Sequence, residues 1–74
     1  EFTFEIYPNP TRGPVQIISD EGIKSVEVYN AIGKKLSLRY SNNAVDLSAY
    51  PAGIYLLQIE TVNGHKSTSK LVLR

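Results

Sequence analysis

The chain has no cysteine, no methionine and no tryptophan, and only one histidine, in 74 residues. Without cysteine there is no disulfide to staple a small domain and no thiolate for zinc, so a fold must rest on an apolar core. Without methionine the chain opens Glu1-Phe2-Thr3, with no initiator and no signal peptide. It is expected to be a piece of a longer polypeptide. Charge of one sign is missing too. Eight Lys and Arg against seven Asp and Glu leave a net charge of +1, no field to steer the chain toward nucleic acid or acidic lipid. No apolar run approaches about 18 residues, so no membrane span is expected. What is present, 42% hydrophobic residues, is a globular composition for one domain over 1–74.

The dominant pattern is alternation with a period of two, broken by turn residues every ~8–12 positions. Phe2, Phe4 and Ile6 alternate with Thr3 and Glu5, which predicts a strand over 2–7. Val15 and Ile17 predict a second over 14–19, and Val26 and Val28 around Glu27 a third over 23–30. Leu36, Leu38 and Tyr40 alternate with Ser37 and Arg39 in a fourth, and Ala44-Val45-Asp46-Leu47 makes a short fifth. The sixth, Ile54 to Glu60, has Tyr55, Leu57 and Ile59 on one face and Ile54 and Leu56 on the other, which suggests a central strand buried on both sides at one end. The seventh runs from Lys66 to Arg74. No segment holds a helical period. The expected fold is all-β, a seven-stranded antiparallel immunoglobulin-like β-sandwich with a Greek-key connection, with a small barrel as the alternative.

The turn chemistry agrees. Gly33, after Asn30-Ala31-Ile32, suits the positive-φ position of a short bulged hairpin, Asn63-Gly64 predicts a type I′ turn, and Asp20-Glu21-Gly22 predicts another turn. Two segments carry more information. In Tyr7-Pro8-Asn9-Pro10-Thr11-Arg12-Gly13 each proline forces its predecessor into extended geometry and removes a ladder donor. Asn9 can start a turn through its side chain, and Gly13 can take positive φ. A rigid corner is the main expectation there, a ligand site the lesser one. In the second segment, Asp46 can accept bonds from the amides of Ser48 or Ala49, Pro51 sets a reversal ending at Gly53, and Tyr55 follows. That placement matches a tyrosine corner, with the Tyr55 hydroxyl expected to bond a main-chain group between Asp46 and Tyr50.

Catalytic chemistry needs a nucleophile, a base and an orienting group, or a metal. His65 follows the Asn63-Gly64 turn and should be solvated, with no second histidine or cysteine to join it. A calcium site would need Asp46 brought to Asp20 or Glu21, and no Asp-rich loop is present. The five tyrosines, Tyr7, Tyr29, Tyr40, Tyr50 and Tyr55, are scattered in the manner of core and corner residues rather than a sugar-binding platform. No enzyme activity, cofactor, metal or nucleic-acid partner is expected.

Four elements in order carry a family pattern: Tyr7-Pro8-Asn9-Pro10 with Gly13; Val26-Glu27-Val28-Tyr29-Asn30 followed by Gly33; Asp46-Leu47-Ser48 with Gly53 and Tyr55; and Lys70-Leu71-Val72-Leu73-Arg74 at the end. This order and spacing resembles the C-terminal sorting domain (type A) of the type IX (Por) secretion system, over essentially the whole chain from Phe2 to Arg74. The resemblance implies a cargo domain N-terminal to Glu1, carried to the periplasm of a Gram-negative bacterium by a separate signal. The terminal domain would then direct it through an outer-membrane translocon to secretion or the cell surface. It also implies a sortase-like protease that usually removes the domain, cutting at or before Glu1. The motif residues Tyr7, Pro8, Asn9, Pro10, Gly13, Gly33, Asp46, Leu47, Gly53 and Tyr55 are expected to be mainly structural.

Physical reasoning adds Lys70, Leu71, Val72, Leu73 and Arg74 as the expected recognition segment. The last strand, if an edge, offers unpaired backbone groups for strand addition, with Lys70 and Arg74 selecting by charge. Truncating these residues is expected to abolish secretion while leaving a folded domain, and the same edge allows a homodimer. The competing functions are an accessory carbohydrate-binding module, which predicts two or three exposed coplanar tyrosines, and a structural immunoglobulin-like spacer of an extracellular enzyme.

Overall fold

A computed structural model describes residues 4–38 and 40–74. Strands β1 (Phe4–Tyr7), β2 (Pro14–Ser19) and β4 (Ala44–Asp46) form one sheet in the order β1-β2-β4. Strands β3 (Ile23–Asn30), β5 (Gly53–Thr61) and β6 (Lys66–Leu73) form the other in the order β3-β5-β6. Every strand pairing is antiparallel. Among the described residues there are six strands and no helix. The all-β expectation is met, and the count of seven is corrected.

The period-two pattern generates the core directly, because alternate side chains of a strand leave on opposite faces. Val15, Ile17 and Val45 of one sheet meet Val28, Tyr55, Leu57, Ile59, Leu71 and Leu73 of the other in a single buried cluster, joined by Leu47 just beyond β4. Phe4 and Ile6 of β1 pack against its margin. β5 is the middle strand of its sheet, as its apolar content suggested. The second face of β5 is a correction: Ile54 and Leu56 point outward and are 50% and 42% exposed. Among the described residues no layer covers that side.

The segment expected to be the fourth strand is the missing one. Leu36, Leu38 and Tyr40 still pack against the core, but among the described residues of 35–40 only Lys35 forms a bridge, to Tyr29, and Leu36 N–H donates to Val28 O at 2.8 Å. The chain here leaves the β3 edge of one sheet for β4 of the other, and in between Ser37 O is held by the Tyr50 hydroxyl at 2.9 Å rather than by a neighbouring strand. Burial alternation survives without a ladder. Arg39, and Phe2 and Thr3 of the first expected strand, lie outside the described residues.

Turn chemistry explains the connections, with two corrections. After β3, Asn30 N–H donates to Lys34 O and Gly33 N–H to Asn30 O, both at 2.9 Å, with Gly33 at φ +86°. That is the expected bulged hairpin, reinforced by Asn30 Oδ1 accepting the amides of Ile32 and Lys34. The β5–β6 connection repeats it: Thr61 N–H donates to His65 O, Gly64 N–H to Thr61 O, and only Gly64 takes positive φ. It is therefore a three-residue loop rather than a type I′ turn, which needs φ above zero at both central residues. The type I′ geometry occurs instead at Asn42-Asn43, at φ 54° and 60° between the mutually bonded Ser41 and Ala44. Asp20 to Gly22 makes no hairpin; it carries the chain from one sheet to the other, between β2 and β3.

Candidate functional site

β6 is an edge strand, with β5 on its inner side. Its pleat divides the expected recognition residues into two sets. Leu71 and Leu73 point into the core and are buried, whereas Lys70 and Arg74 are exposed and Val72 half-buried on the outer side. Along the backbone the same alternation sends the peptide groups of Leu71 and Leu73 to β5, opposite Tyr55 and Gly53, and those of Lys70, Val72 and Arg74 outward.

Four of those outward groups, Lys70 O, Val72 N–H, Val72 O and Arg74 N–H, are already occupied. Asn9 Nδ2 donates to Lys70 O at 2.9 Å, and Val72 N–H donates to Asn9 Oδ1 at 3.0 Å. Two residues further, Thr11 N–H donates to Val72 O and Arg74 N–H to Thr11 O, both at 2.8 Å. The expectation of unpaired backbone groups is thereby corrected at Lys70 O, at both peptide groups of Val72 and at Arg74 N–H. So is the local turn role expected of the Asn9 side chain, which reaches across 61 and 63 positions of sequence instead.

The loop before β2 is held firmly enough to do this. Thr11 is 2% exposed; its hydroxyl donates to Pro14 O at 2.6 Å and accepts Gly13 N–H at 3.1 Å. Flanking prolines bring no competing N–H, and the peptide bonds Tyr7-Pro8 and Asn9-Pro10 are cis. Gly13 O accepts Leu47 N–H at 2.8 Å, and a Cβ on Gly13 would lie 2.8 Å from Ser48 Cβ and 3.1 Å from Asp46 Oδ1. Only glycine permits that approach.

The second corner therefore meets the first. Asp46 Oδ1 accepts Ser48 N–H at 2.9 Å, as expected, and Tyr50 N–H donates to Leu47 O, closing the turn. The Tyr55 ring is in the core and its hydroxyl donates to Pro51 O, one residue beyond the expected span Asp46–Tyr50. Tyr7, Pro8 and Pro10 are exposed around the loop, and Gly53 opens β5 opposite Leu73. Gly33 stands apart in the β3 hairpin. Sequence reasoning missed Thr11, for which the only signal was a small hydroxyl residue between prolines, and missed that the two corners touch.

Elsewhere the polar chemistry is structural. Glu27 accepts the Tyr29 hydroxyl at 2.8 Å and pairs with Lys35 Nζ at 3.0 Å. The tyrosine hydrogen bond, then the ammonium, hold its carboxyl below the ordinary 4.5, while the same bond raises the Tyr29 phenol and the pair raises Lys35. His65 is not simply solvated: its Nδ1 sits 2.8 Å from Glu21 Oε1, and this contact is the main cause lowering the Glu21 carboxyl. Among the described residues no cluster of three His, Cys, Asp or Glu could hold a metal, and no helix is long and apolar enough to cross a membrane. Of the five tyrosines only Tyr7 is largely exposed, so the coplanar platform of a carbohydrate module is not formed.

Fold and site define a small two-sheet β domain whose edge strand β6 is contacted by the Asn9–Thr11 loop. The chain matches the family described as the secretion system C-terminal sorting domain over residues 5–74. It belongs to that family, the sorting domains of the type IX (Por) secretion system. No curated protein matches it. The chain thus carries a type IX sorting signal, that of a secreted or cell-surface protein; the family is defined by a sorting role, not by a reaction.

Proposed function

We propose that this domain is read by an outer-membrane translocon through the outward row of its last strand, Lys70, Val72 and Arg74, with Leu71 and Leu73 serving the core beneath. The observation that carries the reading is the pleat of β6, which presents two cations either side of one valine while its other face is buried. Because Asn9 and Thr11 occupy Lys70 O, both peptide groups of Val72 and Arg74 N–H, side chains are the main accessible feature. The cations select a partner surface bearing carboxylates or other anions. On this reading a cargo domain precedes Glu1, passes through the periplasm of a Gram-negative bacterium, and is released or anchored after a sortase-like protease cuts on the cargo side. The strand order supports an immunoglobulin-like topology: β1-β2-β4 against β3-β5-β6 follows the A-B-E against C-F-G order of that fold, without a D strand.

The test is a fusion of residues 1–74 to the C-terminus of a periplasmic reporter, expressed in a host carrying the type IX system. The expected result is reporter in the medium or on the cell surface, and periplasmic retention both without the domain and in a host lacking the translocon. Retention of the intact fusion would overturn the reading.

A further inference from the structure

We infer that the Asn9–Thr11 segment is a built-in occupant of the β6 edge, a two-rung pseudo-strand that bars another extended chain from adding to the sheet over Lys70–Arg74. An exposed strand edge is a template for pairing with any extended polypeptide, and folded proteins blunt such edges with specific devices. Here the device is chemically a strand. Thr11 brackets Leu73 in the pattern of a parallel bridge, donating to Val72 O and accepting from Arg74 N–H. Asn9 repeats that pattern around Leu71 with its side chain alone, donating to Lys70 O and accepting from Val72 N–H. A carboxamide carries the same donor and acceptor as a peptide group, so Asn9 supplies a rung where the prolines on either side leave no N–H to give. The two rungs are spaced by two residues of β6, the repeat of a true neighbour.

The remainder of the edge shows what would follow without the guard. At Lys66 and Thr68 the outward peptide groups have no neighbouring strand among the described residues, since β6 ends the sheet. That stretch is short and carries Lys66, which disfavours self-pairing. Opening the Asn9 rung would extend the free edge to Val72 and admit the partner nearest to hand, β6 of a second copy, paired antiparallel about a two-fold axis. The guard thus keeps the domain monomeric with its outer side chains on view. It concerns the strand of the sorting proposal but stands independently, because its test involves no export.

Amide hydrogen exchange on the intact 74-residue chain reads the rungs directly. Val72 and Arg74 amides are expected to exchange at least about tenfold more slowly than the outward amide of Thr68. Sedimentation of Asn9→Ala then reads the consequence: concentration-dependent dimers for the variant and a monomer for the parent. Asn9→Asp, which keeps the acceptor but sets a carboxylate against Lys70 O, is expected to behave as Asn9→Ala and replaces it if that variant does not fold. Equal exchange at Val72 and Thr68, a parent chain already dimerised through β6, or folded Asn9 variants that stay monomeric would each overturn the proposal.

Discussion

At Gly13 a hydrogen atom is all that fits between the loop before β2 and the turn after β4. A methyl there would lie 2.8 Å from Ser48 Cβ, and neither backbone is free to yield, because Gly13 O is bonded to Leu47 N–H. Gly13→Ala is expected to lower stability by about 1–3 kcal/mol, read as a shift in urea midpoint. Tyr55→Phe keeps the ring in the core and loses only the hydrogen bond to Pro51 O. Because Pro51 is exposed and water can replace the donor, the expected loss is about 1 kcal/mol. Glu27 gives a signed pH dependence. Its carboxyl is held below 4.5 by Tyr29 and then Lys35; a depressed folded value contributes stability above the unfolded value and loses it as pH falls through the folded one. Urea stability should therefore decline below about pH 4.5, and Glu27→Gln should flatten part of that decline. An unchanged acid slope in the variant would contradict the assignment.

Connections between strands differ in how far local chemistry fixes them. The Asn30–Lys34 hairpin was legible because Gly33 supplies its positive φ and Asn30 its side-chain acceptor, both within a few residues. Asn63-Gly64 carried the composition of a type I′ turn, yet the register set by Ile59 and Ser67 facing each other places three residues in the loop. Asn42-Asn43 makes the type I′ turn with no glycine. Since a left-handed conformation costs a β-branched residue about 1–2 kcal/mol, Asn42→Val should destabilise by that amount and Asn42→Gly should not, as thermal melts of the two would show. The strands themselves were readable from alternation, and so was the core. Leu36, Leu38 and Tyr40 alternate equally well and lie in no strand, because alternation reports burial on one side whereas a ladder needs a neighbour. The Asn9 and Thr11 contacts to β6 were invisible for a related reason: they join positions more than sixty residues apart, and an asparagine between prolines reads first as a local turn.

Across the whole molecule, the last strand both closes the core and presents the candidate signal, so crude deletion cannot separate the two. Removing residues 70–74 deletes Leu71 and Leu73, both buried, together with the partners of Asn9 and Thr11. Each leucine contributes about 2–5 kcal/mol, against the ~5–15 kcal/mol that holds a typical domain folded. That truncation is therefore expected to unfold the chain by circular dichroism, rather than leave a folded domain without a signal. Charge reversal is the cleaner probe. Lys70 and Arg74 are exposed, and surface substitutions of this kind change stability by roughly 0.5 kcal/mol or less. The most direct measurement is the exported fraction of a reporter fused to Lys70→Glu/Arg74→Glu, beside its thermal melt. The account predicts an unchanged melt with the reporter retained in the periplasm; an unchanged melt with export at the parent level would contradict it.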